Sequence, residues 1–464
     1  MQECADISQM DPELIRRFDR NGPRYTSYPT ADRFVEAYDG PAHAGWLANR
    51  NVGGIVQPLS VYAHLPFCAS LCYYCACNKV ITRDHGRSAK YLRYLGKELH
   101  LLSGHLQGSR QITQLHWGGG TPTFLSRNEM AELMDLLRSH FDFAADGEYA
   151  IEIDPRSVDA DTIRFLAGLG FNRMSLGVQD YDPDVQRAIH RVQPAALVRD
   201  ALSAARDNGF QSVNFDLIYG LPRQTLEGFS RTLDEVIAER PDRIALYSYA
   251  HLPSRFKAQR RIGDHVLPDA DTKLRLQLLA VRRFTEAGYV HIGMDHFALP
   301  EDELAQALHS GRLHRNFQGY TTQAECDLLS LGVSAISKIG PSYSQNLHGL
   351  DDYYDSLDHG QLPVARGIEL SPDDLVRRAV IMGLMCQGEV SFESIETAHL
   401  IDFRTYFATE LERLAQYEEA GLLECDGQSI NVTGLGRHFL RGISMTFDRY
   451  LQSGQARGQF SRLI

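Results

Sequence analysis

Between residues 55 and 250, short β-rich runs alternate with stretches of helical period. LSVYAHL (59–65), ITQLHWG (112–118), YAIEID (149–154), NRMSLGV (172–178), SVNFDLIYG (212–220) and RIALYSY (243–249) predict strands. Residues 88–103, 127–140, 159–169, 195–208 and 225–239 predict the amphipathic helices between them. Strands separated by such helices form βαβ units and a parallel sheet. Six units fall short of a closed eight-stranded barrel, which leaves a partial (β/α)6 barrel or an open doubly wound sheet.

The polarity of these strands adds a constraint. A parallel sheet covered by helices is apolar on both faces. Here one alternating face of almost every strand is polar: Tyr62 and His64, Gln114 and His116, Glu152 and Asp154, Ser175 and Gln179, Asn214 and Asp216, Tyr247 and His251. Carboxylates and amides are costly to bury without partners. Six strands that aim such groups to one side predict a lumen holding a polar ligand. The alternative, an antiparallel sheet with one wet face, conflicts with the intervening helices.

After residue 345 the pattern turns mainly helical. SPDDLVRRAVIMGLMC, FRTYFATELERLAQYEEAGLLE and TGLGRHFLRGISMTFDRYL read as helices, with QSINVT as a short strand or wing. This winged-helix-like order suits DNA, but acids outnumber bases beyond residue 371 and the whole chain carries a net charge of −12. A nucleic-acid partner is therefore not expected, and the segment reads as a lid or packing module. No apolar run is long enough to span a bilayer, and the first residues carry neither a secretory nor a transit pattern. The expectation is a cytoplasmic protein with reduced thiols and no membrane insertion. The expected divisions are 1–50, 51–345 and 346–464.

Four of the eight cysteines lie in one stretch, HLPFCASLCYYCACNKV: Cys68, Cys72, Cys75 and Cys77. The others, Cys4, Cys326, Cys386 and Cys425, stand singly, so no disulfide framework is present. Structural zinc takes four converging ligands, commonly as paired CxxC knuckles, and a second knuckle is missing. Three thiolates on a 4Fe–4S cube leave one iron open to a small chelating ligand. The cysteines follow the first predicted strand at its C-terminal end, where α/β folds place ligands. The second strand ends in HWGGGTPT, whose Gly118, Gly119 and Gly120 permit close backbone approach.

CxxxCxxC after the first strand, followed by this glycine-rich end of the second, resembles the radical S-adenosylmethionine (SAM) superfamily. GPRYTSYPTA, CACNKV, GVQD, DLIYGLP, YAHLP, GMDHFA and HRNFQGYTT narrow the resemblance to the bacterial oxygen-independent coproporphyrinogen III oxidases, from about residue 15 to the terminal QFSRLI. The radical-SAM haem chaperones share the cluster and glycine motifs but lack PRYTSYPTA and the CxC thiol. They are the alternative within the same chemistry; a zinc-stabilised winged-helix regulator is the alternative from another class.

The resemblance implies an α/β fold: a radical SAM partial barrel with an N-terminal substrate-site extension and a mainly helical C-terminal domain. It implies one 4Fe–4S cluster on Cys68, Cys72 and Cys75, with two SAM molecules. Tyr62, Gly119, Glu152, Ala250 and Ile336 match positions around the first SAM. Tyr74 (where phenylalanine is the expected residue), Gly120, Thr121, Gln179, Arg191 and Asp216 match those around the second. Tyr62 and Cys77 are the implied catalytic residues. Taken alone, Arg191 reads as a surface arginine. The implied reaction converts two propionates of coproporphyrinogen III to vinyl groups, giving protoporphyrinogen IX with two SAM consumed and without molecular oxygen. It implies an electron donor of reductase, flavodoxin or ferredoxin type and a monomeric enzyme. Arg24 is the foremost candidate for the substrate carboxylates, with Arg16, Arg17, Arg20 and Arg33 behind it; His296 and His314 are polar candidates in matching segments.

Overall fold

In the computed structural model, residues 12–18, 20–50, 57–323 and 326–452 are described. Cys4, the start of the chain and the terminal QFSRLI lie outside them. Two compact units are formed. A sheet unit lies within residues 33–268 and 326–369, and a helical unit within residues 12–32, 269–323 and 370–452.

The six expected strands are present as β1 (Leu59–Leu65), β2 (Gln111–Gly119), β3 (Asp142–Ile153), β4 (Arg173–Gln179), β5 (Ser212–Tyr219) and β6 (Arg243–Ser248). Between them run α1 (His85–His105), α2 (Arg127–His140), α3 (Ala160–Gly168), α4 (Ala195–Asp207) and α5 (Leu226–Glu239). Most begin where a side chain caps the first free N–H groups: Asp84, Asp159 and Thr225 as N-caps, and Ser126 with Glu129 as a capping box. β3 starts earlier than its alternating core YAIEID, with a register shift opposite Ile112 and Gln114.

The sheet also exceeds the six-strand expectation. β7 (Asp327–Leu331), β8 (Ile336–Ile339), β9 (Ser342–Asn346) and β10 (Val364–Glu369) extend it, with α6 (Leu350–Asp358) between the last two. Within the unit the order is β10-β9-β8-β7-β1-β2-β3-β4-β5-β6. From β7 to β6 neighbours are parallel, and from β7 to β10 antiparallel. The sheet stays open, as a partial barrel does. One face packs its apolar side chains against the helices, and Val61, Leu115, Ile151, Leu176, Phe215 and Leu246 are all buried.

α1 also buries Glu98, among Tyr353, Asn346 and the Gly332 N–H. Burial pushes its carboxyl up to about 7 despite those three donors. The native state thus binds this proton more tightly than the unfolded chain. Its stabilising contribution is complete below the ordinary carboxylate range and is lost as pH rises through about 7. Glu98→Gln should flatten that slope, which is worth up to about 3 kcal/mol between pH 5 and 8. Denaturant midpoints across that range check it.

In the helical unit, helix Pro372–Gln387 is followed by Phe392–His399 and Ala408–Glu418. The wing expected at 428–433 is Ser429–Val432, the central strand of a three-stranded antiparallel sheet with Glu389–Ser391 and Leu423–Cys425. Two of the expected helices are broken. FRTYFATELERLAQYEE splits at Phe407, which leaves helical geometry and turns its ring against Phe403 and Phe447. TGLGRHFLRGISMTFDRYL resolves into short helical pieces, 436–439, 440–444, 445–447 and 449–452, rather than one helix. The N-terminal residues Ile15, Phe18, Tyr25 and Tyr28 are buried in this unit's core. No helix among the described residues is long and apolar enough to cross a membrane.

Candidate active site

The second face of the sheet is polar, as the alternation predicts, and its side chains satisfy one another across strands. Ser60 Oγ donates to Gln114 Oε1 at 2.8 Å, and His116 Nε2 lies 3.2 Å from Glu152 Oε1. Ser175 Oγ donates to Asp216 Oδ2 at 2.8 Å, and Asn214 Nδ2 donates to both Ser175 Oγ and Asp216 Oδ1. The Tyr62 ring stacks on His116, centroids 5.8 Å apart, while its hydroxyl meets His64 Nδ1 at 3.1 Å. Burial pulls Glu152 upward, but the His116 bond and charge and the Gly119 N–H hold it below the usual carboxylate range. It is an ionised acceptor at neutral pH. Asp216 is the opposite case: burial pushes it up to about 6.

The glycine run closes the ends of β1 and β2 together. Gly120 N–H donates to Leu65 O and Thr121 N–H to Phe67 O, both at 2.8 Å. Gly119 has φ +110°, and a Cβ there would meet the His64 ring at 2.5 Å. A Cβ on Gly120 would meet the Pro66 carbonyl carbon at 2.6 Å. The space beside these glycines is therefore taken up by protein, a reason for glycine additional to ligand approach. Gly120→Ala should destabilise the fold by about 2 kcal/mol. It should also lower the iron retained after reconstitution, because the displaced segment leads directly into Cys68. Iron analysis and a denaturation midpoint measure the two effects.

Phe67–Cys68 pairs with Val80–Ile81, so the cysteine loop is a closed excursion from a two-strand stem. Thr121 Oγ1 donates to Cys68 Sγ at 3.5 Å; burial nonetheless pushes that thiol up to about 11. Cys72 Sγ accepts from Arg156 Nη2 at 3.8 Å and Arg191 Nη1 at 3.7 Å. Cys77 beside it and the Lys79 ammonium hold the Cys75 thiol down at about 6 against the pull of burial. Among the described residues no group of three or more His, Cys, Asp or Glu side chains gathers about a single metal-ion position. Three thiols on one loop, with cations and donors beside them, are a ligand set that an iron–sulfur cluster takes.

The other sequence candidates of this unit fall around that loop. Arg191 is buried rather than superficial: it donates to Asp154 Oδ2 at 2.9 Å, Gly177 O at 2.8 Å and Cys72 Sγ. Gln259 Nε2 donates to Tyr74 O at 3.0 Å and Ala250 O at 3.1 Å, which brings those two candidates together. Gln179 is buried at the end of β4 with φ +66°. Ile336 opens β8 and its carbonyl accepts from Ser330 Oγ at 2.6 Å. Cys77 is reached by solvent and lies within electrostatic reach of Tyr62 and Glu152. Sequence reasoning did not single out Arg156 and Lys79; His64 and His116 it placed on the polar face without an individual role. The last two stand on the same alternating face as Tyr62, which was the available signal.

Arg24, His296 and His314 belong to the helical unit. Arg24 Nη1 pairs with Asp295 Oδ2 at 2.5 Å, and Asp295 Oδ1 meets His296 Nδ1 at 3.0 Å. These partners drive the Asp295 carboxyl far below its ordinary range although burial opposes them. His314 begins the hairpin of His314–Asn316 with Gly319–Thr321. Arg16 and Arg17 lie exposed on helix Pro12–Phe18; Arg20 is exposed beyond it.

Comparison with known proteins matches this architecture. The radical SAM superfamily model matches residues 62–236, and the HemN C-terminal domain model matches residues 370–439. The chain is 52% identical to the oxygen-independent coproporphyrinogen III oxidase of Pseudomonas aeruginosa, covering 99% of this chain and 100% of that one. To its counterpart in Escherichia coli it is 46% identical, covering 98% of each. The solved structure of coproporphyrinogen III oxidase (HemN) from Escherichia coli, described as a radical SAM enzyme, superposes with a TM-score of 0.91 at 45% identity. That match covers 95% of this chain and 99% of the other. A sheet with one polar face, a three-thiol loop at its end and these matches along the whole chain lead to one conclusion: the chain belongs to the oxygen-independent coproporphyrinogen III oxidase family of radical SAM proteins.

Proposed function

We propose that the protein oxidatively decarboxylates two propionate side chains of coproporphyrinogen III to vinyl groups without oxygen, yielding protoporphyrinogen IX. The observation that carries this is identity along the full chain with enzymes of that name, joined to a cysteine loop beside an ionised, ligand-ready polar face. A radical SAM protein takes a 4Fe–4S cluster and SAM. Cys68, Cys72 and Cys75 would hold the cluster, and one iron free of thiolate would be left to SAM. When bound, the pair supplies the one-electron chemistry that starts decarboxylation.

The chain's own residues hold, orient and screen. Arg156 and Arg191 offset thiolate charge at Cys72. Glu152, fixed by His116 and the Gly119 N–H, can accept from ribose hydroxyls. Tyr62, Gly119, Glu152, Ala250 and Ile336 would line a first SAM. Tyr74, Gly120, Thr121, Gln179, Arg191 and Asp216 would line a second. Cys77, on the same side as Tyr62, would serve the reaction rather than the cluster. Arg24 would meet a substrate carboxylate while sharing its charge with Asp295. The segment 1–50 would belong to the substrate site, 51–345 to the catalytic barrel and 346–464 to a packing or lid module. The enzyme would work as a cytoplasmic monomer fed by a low-potential flavodoxin, ferredoxin or reductase.

Anaerobic reconstitution with iron and sulfide, followed by product analysis, tests this. Protoporphyrinogen IX with two SAM cleaved per molecule is the expected result. SAM cleavage with coproporphyrinogen left intact would overturn it and favour a haem-trafficking role; zinc without iron in the purified protein would overturn the cluster.

A further inference from the structure

Helix α1 lies outside the site described above, yet it carries two buried polar side chains, Tyr91 and Glu98, whose bonds converge on one tight turn. That turn, residues 332–335, joins β7 to β8. Glu98 Oε2 accepts from Gly332 N–H at 2.7 Å and from the Tyr353 hydroxyl at 2.6 Å; Oε1 accepts from Asn346 Nδ2 at 2.6 Å. Asn346 also donates to Gly332 O through Nδ2 and to Ala335 O through its N–H, both at 2.9 Å. The Tyr91 hydroxyl accepts from Val333 N–H at 3.1 Å and donates to the His64 carbonyl at 2.8 Å. Gly332, at φ +96°, has no room for a Cβ beside the Tyr91 hydroxyl and the His64 carbonyl.

The far end of the same turn reaches the cysteine loop. Ser334 Oγ accepts from Asn78 Nδ2 at 3.0 Å, and Asn78 Nδ2 also donates to His348 O. The Asn78 carbonyl meets His64 Nε2 at 3.0 Å, and His64 Nδ1 meets the Tyr62 hydroxyl. Asn78 directly follows Cys77, and Ile336 directly follows the turn. One carboxyl on a peripheral helix is therefore linked, by hydrogen bonds, to two stretches that carry site candidates, Ile336 and Cys77. The titratable neighbours that face it are Tyr353 and Tyr91. A carboxyl buried among hydroxyls, an amide and an N–H costs more than a leucine would at a helix–sheet contact. Packing alone does not account for it.

We infer that Glu98 is a positioning residue: by fixing the 332–335 turn it sets both Ile336 and the Cys77–Asn78 stretch for SAM. This rests on the reading of Ile336 as part of the SAM site and of Cys77 as serving the reaction beside it. The test uses the reconstituted, anaerobic holoenzyme carrying Glu98→Gln, which keeps the shape but replaces one acceptor oxygen by a donor. Hydrogen exchange of peptides spanning 330–337 and 74–80 should quicken together, by about tenfold, the size expected when a buried donor is left without its acceptor. SAM dissociation, followed by equilibrium dialysis, should weaken by about tenfold by the same reasoning. Iron content and the visible spectrum should not change, and turnover at saturating SAM should stay within about twofold of normal.

Faster exchange with normal SAM affinity would make Glu98 a merely structural residue and overturn the inference. So would unchanged exchange, or a fall in iron that tracks the loss of SAM binding. Tyr353→Phe removes one of the three donors and keeps the ring; smaller shifts in the same direction are expected, and none would overturn the inference even if Glu98→Gln fails to fold. A wild-type holoenzyme that binds no SAM would instead overturn the proposed function, while the joint exchange of the two peptides would still decide whether Glu98 ties them.

Discussion

Replacement of Cys68 or Cys72 by alanine is expected to abolish both the brown chromophore and reductive SAM cleavage. The thiols sit on one closed loop whose stem, Phe67–Cys68 with Val80–Ile81, fixes where it starts and ends. A cube that has only three protein thiolates is left with two when one is removed. Cys75→Ala should do the same, since Cys75 is the third thiolate of the set. Iron and sulfide analysis with SAM-cleavage assays under reducing conditions measures this. A Cys68 or Cys72 variant that cleaves SAM at the wild-type rate would remove that residue from the ligand set.

The second large effect is expected at Cys77. Cys77→Ser should keep iron and spectrum and lose most decarboxylation. The substitution preserves size, and Cys77 is partly reached by solvent, so packing is little disturbed. Its side chain lies within the electrostatic reach of Tyr62 and Glu152. A serine hydroxyl is a far weaker acid and a poorer hydrogen-atom source than a thiol, so a role in the reaction would be lost while the loop endures. Iron loss equal to that of Cys75→Ser would show Cys77 to be a ligand, and the open iron would go with it.

Strand alternation made half of the site legible. It placed Tyr62, His116, Glu152 and Asp216 on one face, and there they meet. It could not find the Asp154–Arg191 pair, whose members lie 37 residues apart on different units of the βαβ chain. Nothing local distinguishes Arg191 from a surface arginine; only the resemblance lifted it. β7 and β9 escaped for a different reason. Every residue in both is buried, so neither shows the period-two signal that marks a half-buried strand. In the C-terminal region helical periodicity continues through Phe407, while the chain breaks there because its ring is worth more in the core than in register.

The buried N-terminal residues of the helical unit bear on how the chain is made. Phe18 stacks on Tyr417, centroids 4.6 Å apart; the Tyr25 hydroxyl donates to Asp448; and Arg441 Nη2 donates to Gly22 O at 2.6 Å. Tyr25 thus meets a partner 423 residues further along the chain. During synthesis the N-terminal arm has to wait, unpaired, while the sheet unit emerges and folds behind it. Ribosome-stalled chains ending near residue 400 should therefore lose the segment 12–30 to protease far faster than released, full-length protein does, and nascent chains are most exposed to aggregation in that interval.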